Sequence, residues 1–202
     1  MTEGYIKFRC NWDKRAISID ESLYWILEQS RKKLYDLNLI GMYPDGIGFG
    51  NISVKVDASN FVITGSATGQ YPSLDISQYA LVTSFDIQEN TISCSGLTKA
   101  SAESLTHAAI YQAIPEVNAV VHVHHLELWE KLLNHFPTTS SEIEYGTPEM
   151  ANAVGILASK VQDKDQKILV MGGHREGILA FGQSLEDATN QIINIYNEYL
   201  ND

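Results

Sequence analysis

Hydrophobic residues recur along this chain with two periods, one typical of helices and the other typical of strands. Spacing of three to four residues predicts helices, whereas alternation or a short apolar run predicts strands. Helices are expected from a capping box at 18–21 to residue 39, and over 101–114, 126–133, 148–161 and 185–199. Strands are expected over 51–56, 61–64, 80–87, 91–94, 119–124, 167–171 and 178–181.

Turn-forming and capping residues mark where these elements begin and end. Ser18 and Glu21 have the spacing of a capping box before the first helix, and Pro148 suits the first turn of the fourth. The glycine-rich stretch 41–50 predicts a loop. The N-terminal stretch 5–16 suits either a strand or an interface arm.

The order of the elements predicts the fold class. Several consecutive strands are joined by hairpins, which favours a largely antiparallel or mixed sheet, and helices distributed along the whole chain can cover both of its faces. We therefore expect an α/β fold with three layers, α/β/α, around a mixed, mostly antiparallel central sheet. No linker divides the chain, so residues 1–202 are expected to form a single domain with a full core.

The composition restricts the class of partner. The chain has a formal net charge of −11, and its fourteen lysines and arginines are scattered. Nucleic acids and anionic membranes attract basic patches, so neither is expected as a partner. Two cysteines are too few for a disulfide framework, and no signal segment or apolar run of transmembrane length is visible. We expect a cytoplasmic protein.

A pair of histidines is the strongest chemical feature of the sequence. His122 and His124 lie in an apolar run, and alternate residues of a strand share one face. His174 lies in a glycine-rich turn at the end of a different strand. Three imidazoles leave a fourth position open on zinc, as in catalytic zinc sites. The pattern predicts a metal site, with His125 on the opposite strand face.

A carboxylate is the next candidate for chemistry. Glu103 and His107 lie four residues apart on a predicted helix and would therefore face the same way. A carboxylate near a metal can act as a ligand, a base or an acid. The alternative is a solvated glutamate at a helix N-terminus, where the helix dipole favours negative charge. His107 is interpreted as a structural residue.

Three segments of small residues offer amides and hydroxyls that can bind an anion without a basic side chain. Asn51 begins a strand after a glycine-rich loop, Thr68 and Gly69 belong to a loop of small residues, and Ser101 begins a predicted helix. The alternative for each segment is an ordinary turn.

Four segments, in this order along the chain, resemble the class II aldolase/adducin family. They are residues 50–53, 63–69, 101–107 with 120–124, and 173–182. The resemblance extends from about residue 22 to residue 199, and the order and spacing of the glutamate, the His-x-His pair and the late histidine make it specific.

This resemblance implies a three-layer α/β/α fold and a homotetramer with its sites at subunit interfaces. It also implies a divalent metal, commonly Zn²⁺, held by His122, His124 and His174. Glu103 matches the catalytic acid and base beside that metal.

The family further implies a small-molecule substrate. Its members include fuculose- and rhamnulose-phosphate aldolases, ribulose-phosphate epimerase, methylthioribulose-phosphate dehydratase and the non-catalytic adducin head. The positions that hold the substrate phosphate in the sugar-phosphate enzymes match Asn51, Thr68, Gly69 and Ser101.

Two features depart from the family's aldolases. They have Ser-Ser-Glu where this chain has Ser101-Ala102-Glu103, which is closer to the methylthioribulose-phosphate dehydratase branch. The segment 125–146 is shorter and lacks the stretch that supplies a catalytic tyrosine to the neighbouring subunit. Tyr145 is the candidate substitute, and a packing role is its alternative.

The expected activity is that of a metal-dependent, aldolase-type lyase acting on a small hydroxy-carbonyl compound or a sugar phosphate. The metal would act as a Lewis acid that stabilises a developing enediolate, while Glu103 moves the proton. Two alternatives stay open. One is a sugar-phosphate dehydratase of the same family, and the other is a non-catalytic, adducin-like binding module.

Overall fold

The computed structural model describes residues 5–161 and 165–200, which contain ten strands. These are β1 (Arg9–Asp13), β2 (Gly41–Met42), β3 (Gly48–Phe49), β4 (Asn51–Lys55), β5 (Phe61–Thr64), β6 (Tyr79–Asp86), β7 (Thr91–Ser95), β8 (Ala119–His124), β9 (Ile168–Val170) and β10 (Gly177–Gly182). β2 and β3 form a small hairpin, and the others form one sheet in the order β1-β7-β6-β5-β4-β8-β10-β9. Only β1 and β7 pair in parallel among these described strands, so the prediction of a mixed, mostly antiparallel sheet is confirmed.

Helices cover both faces of this sheet. They are α1 (Glu21–Asp36), α2 (Ser104–Ala113), α3 (Leu126–Leu132), α4 (Pro148–Val161) and α5 (Leu185–Leu200), with a short 3₁₀ turn at Ile76–Gln78. α2 and α4 pack together on one face, whereas α1 and α3 contact α5 on the other. The three-layer α/β/α architecture is therefore confirmed.

Each face of the sheet has its own apolar cluster, and β8 contributes to both. Val120 belongs to the cluster beneath α2 and α4, whereas Val121 and Val123 belong to the cluster beneath α1, α3 and α5. By the same alternation, His122 and His124 lie on the α2/α4 side. Each fully buried aliphatic side chain contributes roughly 1.5–3 kcal/mol, so packing on both faces fixes this strand firmly.

Helix α1 is shorter than predicted at both ends. Asp20, rather than Ser18, caps its N-terminus, because the Asp20 carboxylate accepts a hydrogen bond from the Ser22 amide at 2.9 Å. At the other end, Asn38 adopts a left-handed φ of 56°, which asparagine tolerates. The helix consequently ends at Asp36, three residues before the predicted end.

The stretch 41–50, the start of α2 and the N-terminal stretch also needed the structure to settle them. Stretch 41–50, predicted as a loop, contains the β2–β3 hairpin, whose two-residue strands are too short to produce a periodic pattern. Helix α2 begins at Ser104 rather than Ser101, because the Ser104 amide donates to the Ser101 carbonyl at 3.1 Å and closes a turn first. Of the two interpretations of the N-terminal stretch, the structure has a strand, β1, at the sheet edge.

No helix among the described residues combines the length and the apolar character needed to cross a bilayer.

Candidate metal centre

Strand β8 brings two imidazoles together in the middle of the sheet. β8 pairs with β4 on one side and with β10 on the other. His122 and His124 are both almost fully buried, and their Nε2 atoms lie 2.9 Å apart. His174, equally buried, completes a group whose potential ligand atoms lie within 4.8 Å of one another. These residues are called the imidazole cluster below.

The hydrogen-bond partners of the two β8 histidines indicate where their protons lie. His122 Nδ1 lies 3.2 Å from the Ile178 carbonyl oxygen, which can only accept, so this nitrogen carries the proton. His124 Nδ1 lies 2.9 Å from the Tyr43 hydroxyl, whose own proton is donated to Glu176 at 2.7 Å. In this arrangement the Tyr43 oxygen accepts a hydrogen bond from His124 Nδ1. Both histidines consequently present their Nε2 lone pairs to each other.

Burial keeps these two imidazoles neutral. It lowers the pKa of His122 well below the usual value, and the neighbouring His124 and His174 lower it further. The pKa of His124 is lowered in the same way, by burial first and then by His174. Two facing lone pairs at 2.9 Å repel each other unless a cation lies between them. Neutral imidazoles with bare Nε2 atoms are the form that binds a metal, so the donor set fits a divalent ion.

His174 is held by packing rather than by a strand. It lies in the turn 171–177 between β9 and β10, and the ring of Tyr145 stacks on it at a centroid distance of 4.3 Å. The ammonium group of Lys7 lies 3.8 Å from the centroid of the Tyr145 ring. A Cβ atom added to Gly173 would lie 1.8 Å from the Ile143 carbonyl oxygen, so the turn can approach this loop only with glycine there.

Glu103 is buried at the N-cap position of α2, beside the imidazole cluster. Its Oε2 accepts a hydrogen bond from Thr106 Oγ1 at 2.6 Å, and its Oε1 lies 4.0 Å from His174 Nδ1. Glu103 precedes the first residue of α2, and its carbonyl accepts a hydrogen bond from the His107 amide at 3.1 Å, so the two residues lie one helical turn apart.

His107 has a separate environment. Its Nδ1 lies 2.7 Å from Ser53 Oγ, which also lies 2.7 Å from the Tyr111 hydroxyl. Burial lowers the pKa of His107 to about 3, so the ring is neutral. These contacts agree with its interpretation as a structural residue.

His125 follows the last residue of β8 and caps α3. Its ring contacts Tyr196 of α5, on the side of the sheet opposite to His122 and His124, as predicted. Its Nδ1 accepts a hydrogen bond from the Leu128 amide at 3.2 Å.

A cleft opens beside the cluster, and the small-residue segments predicted from the sequence line it. The Oδ1 atom of Asn51 is buried without a hydrogen-bond partner among the described residues. No lysine or arginine is among the described residues that line the cleft. The predicted residues found in the lining are Asn51, Thr68, Gly69, Ser101, Glu103, His122, His124 and Tyr145.

Sequence reasoning missed the residues that support the cluster from behind, namely Tyr43, Glu176 and Lys7. Tyr43 lies in the glycine-rich stretch predicted as a loop, and Glu176 follows His174 closely, but neither position has a periodic or motif signal. Lys7 lies far away in sequence, in the N-terminal stretch. Their proximity arises only from the tertiary fold.

Comparison with known proteins gives relatives over most of the chain. The L-fuculose phosphate aldolase of Methanocaldococcus jannaschii is 29% identical over 171 residues, which cover 78% of this chain and 82% of that protein. The L-fuculose-1-phosphate aldolase structure from Thermus thermophilus has a TM-score of 0.63 at 20% identity, covering 87% of this chain and 89% of that chain. A sugar-phosphate aldolase structure from Thermotoga maritima has a TM-score of 0.58 at 18% identity, covering 83% and 88%. At such identities the two structures show a shared fold.

The family itself is shown by a match to a family model. The model described as Class II Aldolase and Adducin N-terminal domain matches residues 44–197, which include the cleft segments and the whole imidazole cluster. The match covers well over half of the sequence. The chain therefore belongs to the class II aldolase and adducin family.

Proposed function

We propose that the protein is a metal-dependent, aldolase-type lyase that acts on a small hydroxy-carbonyl compound or a sugar phosphate. The observation that carries this proposal is the grouping of three buried imidazoles and the buried Glu103 carboxylate beside one open cleft. Buried ionisable groups gathered at a cleft are typical of functional sites. Membership of a family that includes aldolases supports the same chemistry.

His122, His124 and His174 are the proposed ligands of Zn²⁺ or another divalent metal. Support comes from the bare Nε2 atoms that His122 and His124 direct at each other. When bound, a divalent ion supplies a Lewis acid for adjacent carbonyl and hydroxyl oxygens of the substrate. Site geometry and metal availability decide which ion is carried.

Glu103 is the proposed acid and base. Thr106 fixes one carboxylate oxygen, and the other lies on the side of His174. Carbon–carbon cleavage by a retro-aldol route removes a proton from a substrate hydroxyl and delivers a proton to the carbon whose bond breaks. A single carboxylate can take the first proton and return it in the second step.

Asn51, Thr68, Gly69 and Ser101 are the proposed substrate-binding residues. They offer an amide, hydroxyls and main-chain groups to a cleft whose described lining has no basic side chain. Uncharged donors of this kind bind phosphate or carboxylate groups in many proteins. The relatives named as fuculose-phosphate aldolases favour a phosphorylated substrate.

Tyr145 is a weaker candidate for a proton donor. Its ring lies between the Lys7 ammonium and the His174 imidazole, and the residue is almost fully buried. This arrangement favours the packing role, in which Tyr145 holds the His174 ring in place.

A dehydratase of the same family is the second candidate function. It is favoured by Ala102, which lines the cleft where the family's aldolases have a serine hydroxyl. An adducin-like binding module is disfavoured, because such a module has no need of an intact set of metal ligands. The family resemblance further supports a homotetramer, and the acidic chain supports a cytoplasmic protein without nucleic-acid or membrane partners.

Turnover of a panel of sugar phosphates and hydroxy-ketoacids by the zinc-loaded chain tests the proposal. Carbon–carbon cleavage to an aldehyde and a ketone supports an aldolase, whereas loss of water without cleavage assigns the dehydratase. Glu103→Gln should lower kcat by about 100-fold or more at unchanged metal content. A panel without any turnover, or equal activity in Glu103→Gln, would contradict the proposal.

A further inference from the structure

Behind His124, a tyrosine and a glutamate form a hydrogen-bonded chain that joins three distant parts of the sequence. The Tyr43 hydroxyl lies 2.9 Å from His124 Nδ1 and donates to Glu176 Oε2 at 2.7 Å. Tyr43 belongs to the β2–β3 hairpin, His124 to β8, and Glu176 to the turn that also carries His174. These hydrogen bonds therefore connect β8, which carries His122 and His124, with the turn that carries His174.

Two placements of the protons are chemically available to this group. In the first, Tyr43 donates to Glu176, His124 donates from Nδ1 to the Tyr43 oxygen, and His124 Nε2 carries no proton. In the second, Tyr43 donates to His124 Nδ1, and His124 donates from Nε2 to the bare Nε2 of His122, 2.9 Å away. Only the first leaves Nε2 of His124 open to a metal. The Glu176 carboxylate favours the first, because it accepts a charge-assisted hydrogen bond from Tyr43.

Glu176, which accepts the hydrogen bond from Tyr43, has a strained backbone conformation. Its φ is +75°, in the left-handed region that non-glycine residues other than asparagine and aspartate rarely adopt. Among the described residues, the other non-glycine positions with positive φ are three asparagines and Ala67. Strained backbone that persists in a fold is concentrated at functional sites.

The tyrosine hydroxyl is held in place by its own hairpin. The Tyr43 amide donates to the Ile47 carbonyl at 2.8 Å, and the Tyr43 ring packs on Phe49 with 4.5 Å between centroids. The Phe49 ring in turn stacks on His124 at 5.7 Å. The hairpin therefore orients the hydroxyl and shields the ring that it contacts.

We propose that Tyr43 and Glu176 are positioning residues that place the His124 proton on Nδ1 and so keep its Nε2 available for the metal. This inference rests on the proposed metal-dependent function, which it deepens. When the hydrogen-bonded partner of a metal-bound histidine is removed, metal affinity typically falls by about 10- to 100-fold.

The first test reads the proton position directly, in the metal-free, full-length chain. Long-range ¹H–¹⁵N correlation spectra of the imidazole rings should give the Nδ1–H form for His124 in the parent. Tyr43→Phe keeps the ring but removes the hydroxyl, and should convert His124 to the Nε2–H form that donates to His122. Tyr199→Phe, on α5, is the matched control and should leave the His124 spectrum unchanged.

Zinc affinity and thermal stability together test Glu176. Glu176→Gly removes the carboxylate and relieves the backbone, so the melting temperature of the metal-free chain should rise or stay equal. Its Zn²⁺ dissociation constant, measured by competition with a chromophoric chelator, should nevertheless increase by about 10-fold or more. Asn134→Gly, at another left-handed position, should leave the dissociation constant unchanged.

The outcomes separate this inference from the proposed function. An Nε2–H form of His124 in the metal-free parent overturns the inference, as do variants that keep Nδ1–H and bind Zn²⁺ within twofold of the parent. A parent chain that binds no Zn²⁺ contradicts the proposed function, whereas the imidazole spectra still decide where Tyr43 and Glu176 place the proton.

Discussion

Strand β8 and the turn 171–177 hold the imidazoles of the cluster in different ways. β8 is hydrogen-bonded on both edges and packed on both faces, so His122 and His124 share a support at the centre of the sheet. His174 depends on a glycine-containing turn, on the loop that the turn approaches, and on the Tyr145 ring stacked against it. One support is local and rigid, whereas the other is assembled from distant segments.

This difference shows that one metal site can combine two ligands held rigidly by the sheet with a third whose position depends on separate contacts. The strand pair has its geometry fixed by the sheet before any ligand is bound, whereas the position of His174 depends on contacts that can be altered one at a time. Preorganised ligands bind more tightly because less ordering accompanies binding. We therefore expect the two supports to respond unequally to substitution.

Removing one imidazole from each support should give the largest effects. The free energy of zinc binding to a structural site with four ligands is about 10–16 kcal/mol, which is roughly 3 kcal/mol per ligand. Loss of one ligand therefore lowers the affinity by a factor on the order of 100. His174→Ala leaves the preorganised β8 pair and should lose about this factor. His122→Ala leaves two ligands on separate supports and should lose more.

Zinc titration of the two variants against a chelator checks this order. Equal losses for His122→Ala and His174→Ala would mean that β8 is no better organised than the turn.

Gly173→Ala should disturb the assembled support without touching a ligand. The added Cβ would lie 1.8 Å from the Ile143 carbonyl oxygen, so the turn and its histidine must move. Overpacking of this kind costs about 1–3 kcal/mol, which chemical denaturation should register together with weaker zinc binding.

Gly155→Ala, within α4, is the matched control for that substitution. Its Cβ would lie 3.3 Å from the Ala109 carbonyl oxygen, a close contact that a small shift relieves, and alanine favours a helix over glycine, so stability should change much less than in Gly173→Ala. A Gly173→Ala variant as stable as this control would show that the close approach is not required.

The smallest effect should come from Lys7→Ala. Lys7 contacts Tyr145 through its ammonium group and donates to the Tyr145 carbonyl at 2.9 Å. A cation–π contact of about 0.5–1 kcal/mol corresponds to roughly two- to fivefold in zinc affinity if it reaches the metal through His174. Lys14, which lies over the Trp12 ring, provides the control Lys14→Ala. Equal zinc affinity in Lys7→Ala and Lys14→Ala would show that the Lys7 contact does not support the metal site.

The division between the two supports also describes what the sequence could predict. His122 and His124 were predictable because strand alternation converts a spacing of two into a shared face. The sheet and its helices followed from the same periodicities, although α1 and α2 began at other residues because side-chain caps and turns decide helix ends.

What could not be predicted depends on contacts between segments far apart in sequence. Tyr43, Glu176 and Lys7 come close to the cluster only because the hairpin, the 171–177 turn and the N-terminal stretch converge there. No periodic pattern encodes such a convergence.

Metal content is the most direct test of the central claim that the imidazole cluster is a metal site. Elemental analysis should compare the purified, untagged chain, before and after reconstitution, with a His122→Ala/His124→Ala double variant. We expect about one zinc or similar divalent ion per chain in the parent and none in the folded double variant. A parent that holds no metal after reconstitution, or a double variant that holds as much as the parent, would contradict it.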